Sequence, residues 1–112
     1  MSEPAQFDRM LRALADPCRR GLVERLARGP ASVSELARPA GVQLPAVLKH
    51  LRTLEEGGIV VSEKVGRVRT YRMHPDAFRD VTGWIEARRA EMESAFDRLA
   101  AAMAAEPEKK DH

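Results

Sequence analysis

Apolar residues recur with a helical period at the start of the chain and predict two helices. In the first, residues 5–15, the apolar positions follow at intervals of three and four residues, the spacing of one helix face. These positions are Phe7, Met10, Leu11 and Leu14. The second starts at Asp16-Pro17, because Asp is a favourable N-cap and Pro suits the first helical position. Its apolar stripe consists of Cys18, Leu22, Val23 and Leu26.

Two further helices are predicted before residue 58. Ser32 and Glu35 have the spacing of a capping box, which predicts a short third helix that Pro39 and Gly41 end. The fourth begins near Gln43 or Leu44 and runs to about Glu56, before Gly57-Gly58.

The fourth predicted helix has two unlike faces on a helical wheel. One narrow arc is apolar and is expected to face the core. It holds Leu44, Val47, Leu51 and Leu54. The opposite face carries small residues near its N-terminus and cations further along. It holds Pro45, Ala46, Lys49, Arg52 and Thr53, with Leu48 and His50 on the borders.

The period then changes to that of a strand. The segments "IVVSEKV" and "VRTYRM" are rich in β-branched residues and meet around Gly66, which predicts a hairpin. Its exposed positions are mainly Lys64, Arg67, Arg69 and Arg72.

A helical period returns from Pro75 to about Ala104, with apolar steps close to a seven-residue repeat from Ile85 onward. The predicted fold is therefore mainly α with a small β-hairpin, in the order of four helices, two strands and a long helix. Residues 1–104 are expected to form one domain, followed by a polar and disordered tail at 105–112.

Charge is distributed unevenly along the chain, although the net charge is only +2. Residues 34–73 carry seven Lys or Arg and four Asp or Glu, whereas residues 74–112 carry six and nine. The middle of the chain is thus the candidate surface for an anionic partner. No apolar run approaches the roughly 20 residues of a membrane span, so no membrane association is expected.

The fourth helix and the hairpin have the properties of a DNA-binding pair. Small side chains allow close approach to base edges, and cations meet phosphates or guanine. A helix-turn-helix followed by a basic hairpin is a winged helix, whose tip would follow the backbone or the minor groove. A solvated charged face, or a winged module that binds a protein, remains the alternative.

Several motifs in order resemble one bacterial family. The segments "LADPCRRGLVERL", "VSELA", "LPAVLKHLRTLEEGGIV" and "GRVRTYRM" are similar to those of the ArsR/SmtB winged-helix repressors, over roughly residues 7–104. The resemblance implies a transcriptional repressor that binds an operator in double-stranded DNA as a homodimer. It implies that "LPAVLKHL" reads DNA and that "EKVGRVR" is the wing.

The resemblance and the helix faces together assign the candidate residues. The DNA-binding candidates are Gln43, Pro45, Ala46, Leu48, Lys49, His50, Arg52, Lys64, Arg67 and Arg69. The resemblance also implies dimerisation through the first and last helices. The candidates there are Phe7, Met10, Leu11, Leu14, Met92, Phe96, Leu99 and Met103.

The chain departs from the family pattern at three positions. Leu48 stands where Ser or Thr is usual, and it can touch a thymine methyl or widen the core stripe; the core is the preferred interpretation. Gln43 replaces a Ser and is a weak N-cap that can bond an adenine edge. Cys18 replaces a Thr, and operator preference is expected to differ from that of relatives. For His50, a phosphate contact and a packing role are both open.

Metal sensing, which the resemblance implies for part of the family, requires clusters of Cys, His and carboxylate ligands. The helix at residues 34–40 has neither Cys nor His, and the last helix has no internal His. His74 precedes that last helix and is expected to cap its start. The sequence therefore predicts the branch that lacks the metal-binding cysteines, with no metal site and no cofactor.

Cys18 is the only cysteine and forms no internal disulfide, which agrees with a reducing cytoplasm. Its place at a helix start beside Arg19 and Arg20 permits redox reactivity, although a small buried packing residue is the preferred interpretation. No phosphate-binding loop or catalytic triad is evident, so no enzymatic activity is predicted. The operator sequence and any small-molecule effector are left open.

Overall fold

The structure is a computed structural model that describes residues 3–40 and 43–105 of the 112-residue chain. It comprises two compact units, one ending at Phe78 and the other beginning at Arg79. The first unit contains α1 (Glu3–Leu14), α2 (Pro17–Leu26), β1 (Ala31–Ser32), α3 (Val33–Ala40), α4 (Leu44–Glu56), β2 (Val60–Val65) and β3 (Val68–Met73). The second unit contains α5 (Arg79–Ala105). Among the described residues, none of the helices is long and apolar enough to cross a membrane.

The predicted starts of α2 and α3 are confirmed by their hydrogen bonds. Asp16 is the N-cap of α2, and its Oδ2 accepts from the backbone nitrogen of Arg19 at 3.1 Å. In α3, the backbone nitrogen of Ser32 donates to Oε1 of Glu35 at 2.8 Å, and the Glu35 nitrogen donates to Oγ of Ser32 at 3.2 Å. This is the reciprocal pair of a capping box. The predicted turn at Gly41 lies outside the described residues.

The core of the first unit forms around α4 and the start of β2. Leu51, Leu54 and Ile59 are 0% exposed and Val47 is 2% exposed, so most of the predicted apolar arc of α4 is confirmed. Leu44 is 46% exposed, and its prediction as a core residue was wrong. Leu44 is the first residue of the helix, so the apolar stripe extends there past the part that the core covers.

Helix α1 packs closely against the end of α4. A Cβ added at Gly57 would lie 3.2 Å from Cβ of Ala13 and 3.2 Å from the carbonyl oxygen of Arg9, so α1 would have to shift by a few tenths of an ångström to admit a side chain. On α1, Met10 and Ala13 are buried, whereas Leu11 is 42% exposed. Gly57 therefore both ends α4 and permits this close contact.

The sheet has three strands, where the sequence predicted a two-stranded hairpin. The added strand β1 pairs antiparallel with β3, Ala31 opposite Tyr71, and the strand order is β1-β3-β2. Two residues are too few to show the alternation that marks a strand, so the pattern missed β1. The hairpin turns at Gly66-Arg67, where Gly66 has φ of 63° and Arg67 has negative φ, the arrangement of a type II′ turn.

The long helix starts four residues later than Pro75, where the sequence placed it. A separate turn precedes it, in which the backbone nitrogen of Asp76 donates to Nδ1 of His74 at 3.0 Å and the Ala77 nitrogen donates to the His74 carbonyl oxygen at 3.0 Å. His74 thus caps this turn, and its prediction as the cap of the long helix was wrong. The His74 side chain accepts from one local backbone amide before the helix begins.

Helix α5 has no buried residue in the single chain. Its apolar seam is defined here by four residues that are 57–65% exposed. They are Met92, Phe96, Leu99 and Met103. On the same helix, the guanidinium of Arg88 binds both carboxylate oxygens of Glu91, Nε to Oε1 at 3.0 Å and Nη2 to Oε2 at 3.1 Å.

Candidate nucleic-acid interface

The outer face of α4 is fixed by the burial of the opposite face. Because Val47, Leu51 and Leu54 are held in the core, Lys49 and Arg52 are directed to solvent. Pro45 is also exposed, and Ala46 and Thr53 are partly exposed. The structure therefore brings together small residues in the first turn of α4 and cations one and two turns later.

Two leucines extend this face at its edge. Leu44 and Leu48 are 46% and 38% exposed, and side chains four residues apart on a helix are neighbours. The preferred interpretation of Leu48 as a core residue was wrong. Sequence reasoning missed Leu44 as a surface residue, because a helical wheel gives direction but not the extent of the core.

Gln43 occupies the N-cap position of α4 with extended backbone and makes no capping hydrogen bond with its side chain. Its carbonyl oxygen accepts from the backbone nitrogens of Ala46 at 3.0 Å and Val47 at 3.2 Å. The expectation of a weak N-cap is thus confirmed. The exposed side-chain amide lies beside the first turn of α4.

His50 connects α4 to α2. Its Nδ1 lies 3.4 Å from Nη1 of Arg19, and because a guanidinium only donates, Nδ1 is the acceptor. Nε of Arg19 also donates to the carbonyl oxygen of Ala13 at 2.7 Å, and Nη2 donates to that of Arg12 at 3.1 Å. The packing role of His50 is therefore present, and Arg19 joins the end of α1 to α2 and α4. The sequence offered no signal that separated Arg19 from Arg20.

The wing carries its cations on two faces and at the turn. Strand alternation and the pairing of Lys64 with Arg69 place these two residues on the sheet face of Tyr71. Arg67 lies in the turn, and Arg72 lies on the opposite face. All four cations are exposed.

A chain of hydrogen bonds joins the wing to α4. Nη1 of Arg69 donates to Oγ of Ser62 at 2.8 Å, and that hydroxyl donates to Oε2 of Glu55 at 3.0 Å. Burial raises the pKa of the Tyr71 hydroxyl, and the Glu55 carboxylate raises it further against the opposing charges of Arg69 and Arg52. Arg69 is thus held against α4, whereas Arg67 lies in the turn and is the wing cation at its tip.

The structure also brings together three side chains that the sequence did not connect. One ligand atom from each of Asp16, Cys18 and His50 lies within 4.8 Å of the others. Cys18 is exposed, so the preferred interpretation as a buried packing residue was wrong. It lies in the first turn of α2, on the N-terminal side of Leu22, which is the first buried residue of the apolar stripe. The backbone hydrogen bond from Arg19 is the main cause that lowers the pKa of the Asp16 carboxyl.

A helix-turn-helix with a basic β-hairpin directly after its second helix defines a winged helix-turn-helix protein. Known proteins agree with this class. A family model described as a helix-turn-helix domain matches residues 14–63. The transcriptional regulator Rv2034 of Mycobacterium tuberculosis is 47% identical over 75 residues, which cover 67% of this chain and 70% of that protein. The regulator NmtR of the same organism is 37% identical over 70 residues, 62% of this chain and 58% of NmtR.

Solved structures agree as well. The crystal structure of an ArsR family transcriptional regulator has a TM-score of 0.77 at 42% identity, and the match covers 83% of this chain and 96% of that one. An ArsR-like regulator from Rhodococcus sp. RHA1 has a TM-score of 0.74 at 32% identity, with 92% and 94% covered. The chain belongs to the ArsR/SmtB family of winged-helix transcriptional regulators.

Proposed function

We propose that the chain is a homodimeric repressor that binds a specific sequence of double-stranded DNA. In this proposal α4 enters the major groove and the wing, residues 60–73, follows the backbone or the minor groove. The outer face of α4 carries the proposal, because small residues and the cations Lys49 and Arg52 lie exposed opposite a fully buried stripe. The names of the relatives, as transcriptional regulators, support it.

The proposed contacts divide by chemistry. Gln43, Lys49 and Arg52 offer hydrogen bonds to base edges, whereas Leu44 and Leu48 offer apolar contact to thymine methyl groups. Lys64, Arg67 and Arg69 neutralise phosphate or enter the minor groove. His50 contacts Arg19 and is therefore the weaker of the predicted phosphate ligands.

Dimerisation is proposed through the apolar seam of α5 and the exposed side of α1. Four large apolar side chains at helical spacing on α5 are more than half exposed, and such contiguous surfaces mark interfaces. On α1, Leu11 is available to a partner, whereas Met10 is already buried in its own chain. Two copies would present two α4 helices to successive major grooves, about 34 Å apart or a multiple of it.

The role is that of a regulator without catalysis, acting in the cytoplasm, where the bacterial chromosome lies. DNA and its own second copy are its proposed partners. We propose residues 1–104 as the DNA-binding and dimerisation domain and residues 105–112 as a tail outside it.

The test is identification of the operator followed by a salt titration. Genome-wide occupancy of the protein should yield a short, two-fold symmetric site. Binding to that site should be about 10³-fold or more tighter than binding to a scrambled duplex, and log K should fall linearly with log salt for both. Equal binding to both duplexes at every salt concentration would contradict sequence-specific recognition.

The alternative is a winged module that binds a partner protein. It is supported by the cationic face alone, which an acidic protein surface would also match. Absence of any salt-sensitive binding to duplex DNA, for a protein shown to be folded and dimeric, would decide for this alternative.

A further inference from the structure

The strongest unassigned cluster lies where the start of α2 meets the middle of α4. The carboxylate of Asp16, the thiol of Cys18 and the imidazole of His50 place one ligand atom each within 4.8 Å of the others. They come from two helices that pack in the same unit, so the cluster is formed by the fold and not by neighbouring residues alone. Cys18 is exposed and the other two are partly buried, which leaves an open side toward solvent.

These three groups are suitable ligands for a divalent cation of borderline softness. Thiolate, imidazole and carboxylate bind Zn²⁺ and Co²⁺, and water completes a tetrahedral set. With metal–ligand distances of about 2.0–2.3 Å, the ligand atoms of such a site lie roughly 3.3–3.8 Å apart. Ligand atoms at the 4.8 Å limit must therefore move together by about 1.0–1.5 Å, to which rotation of the exposed Cys18 side chain can contribute.

The surroundings hold two of the ligands in place. The backbone nitrogen of Arg19 donates to Oδ2 of Asp16, and a carboxylate oriented by a hydrogen bond retains lone pairs for a cation. The contact of Arg19 with Nδ1 of His50 requires an unprotonated Nδ1, and a metal likewise needs a neutral imidazole. Coordination through Nε2 requires the ring proton on Nδ1, because a neutral imidazole has one lone pair, and therefore ends this contact. Coordination through Nδ1 displaces the guanidinium, which keeps its bonds to the carbonyl oxygens of Ala13 and Arg12.

We propose that Asp16, Cys18 and His50 form a three-residue site for Zn²⁺ or Co²⁺. The two anionic ligands offset the positive charge of Arg19 beside the site. The sequence predicted no metal site, because the three ligands lie on two elements that are far apart along the chain. This proposal does not depend on DNA binding, so its failure would leave the proposed function untouched.

Titration of the reduced full-length protein with Co²⁺ tests the proposal. We expect one ion per chain, with a thiolate-to-cobalt charge-transfer band and the visible bands of a tetrahedral ion. Competition with Zn²⁺ should remove these bands. Cys18→Ser should abolish the charge-transfer band and weaken Zn²⁺ binding about 100-fold, and His50→Gln should weaken it to a similar extent.

Two variants separate ligation from folding. Asp16→Asn keeps the N-cap, because Asn caps as well as Asp, and should weaken Zn²⁺ binding about tenfold. His74→Gln changes a histidine outside the cluster and should bind Zn²⁺ as the wild type does. Circular dichroism before and after each titration verifies that the variants are folded.

A measurement on the unchanged chain gives an independent result. Zn²⁺ should slow alkylation of Cys18 by at least about tenfold, and a chelator should restore the rate. Zn²⁺ binding of equal affinity in the wild type and Cys18→Ser, or one ion shared by two chains, would overturn the site. Alkylation that is unaffected by saturating Zn²⁺ would do the same.

Discussion

Helices α4 and α5 both carry apolar residues at helical spacing, yet only one stripe is covered within the chain. On α4, Val47, Leu51 and Leu54 are buried, and the cationic side is left to solvent. On α5, the apolar seam is exposed, and the C-terminal third that contains it is net acidic. The spacing of apolar residues shows which face of a helix is apolar. Whether that face is buried depends on a second surface that covers it. On this difference we propose that α4 contacts DNA and that α5 contacts a second copy of the chain.

Phe96→Glu should have the largest effect. If the seam of α5 packs against a partner chain, the substitution buries a charge there at a cost of several kcal/mol. Sedimentation at micromolar concentration should show a dimer for the wild type and a monomer for the variant. Arg98→Ala changes the same helix and should remain dimeric. A monomeric wild type would contradict the assignment of α5.

Leu51→Ala tests the covered stripe of α4. The residue is 0% exposed, so truncation should lower the free energy of unfolding by about 2–5 kcal/mol. Because Leu51 is buried within one chain, the loss should be the same at every protein concentration. The loss caused by Leu99→Ala on α5 should instead depend on concentration. Urea unfolding at two protein concentrations distinguishes the two variants. The same dependence on protein concentration for both would contradict the difference between α4 and α5.

Lys49→Ala tests the outer face of α4. If Lys49 reads a base, each lost contact should cost roughly 1–3 kcal/mol on the operator and relax preference at symmetric positions. Titration against operator and scrambled duplexes measures both. An equal loss on the two duplexes would exclude base reading by Lys49 and favour Gln43, Pro45 and Ala46.

Arg67→Ala tests the wing and should weaken binding to all sequences alike. The slope of log K against log salt should flatten by roughly 1–2 units per dimer, since each subunit loses up to one phosphate contact. Arg98→Ala on α5 removes the same charge and serves as the control, with an unchanged slope expected. A slope that stays unchanged for Arg67→Ala would show that the tip does not meet phosphate.

The smallest effect is expected at the capping box of α3. Hydrogen bonds involving Ser32 lower the pKa of the Glu35 carboxyl from its ordinary value. A depressed pKa contributes stability above the unfolded value, and this contribution is lost as pH falls through the lower folded value. Glu35→Gln should therefore flatten the pH dependence of unfolding below about pH 4.5. Urea unfolding of the wild type and of Glu35→Gln across this range provides the measurement.

Features coded by adjacent residues were predictable from the sequence. The caps at Asp16 and Ser32 and the bounds of α4 follow from spacing of three or four residues, because the interactions are local. Strand β1 was not predictable, since its two residues are a strand only through pairing with β3. The approach of Cys18 to His50 depends on how α2 packs on α4, and the exposure of Leu44 depends on where the core ends. Neither of these two features leaves a periodic pattern in the sequence.

The three-helix contact of Arg19 has a consequence for local unfolding. One guanidinium binds two carbonyl oxygens at the end of α1, belongs to the first turn of α2 and contacts the middle of α4. Opening any of these segments breaks bonds that the other two share, so their amide protons should exchange with solvent as one cooperative unit. No single segment would then open to a protease at a free energy lower than that of opening the whole unit. The outer face of α4 would keep its form between encounters with DNA.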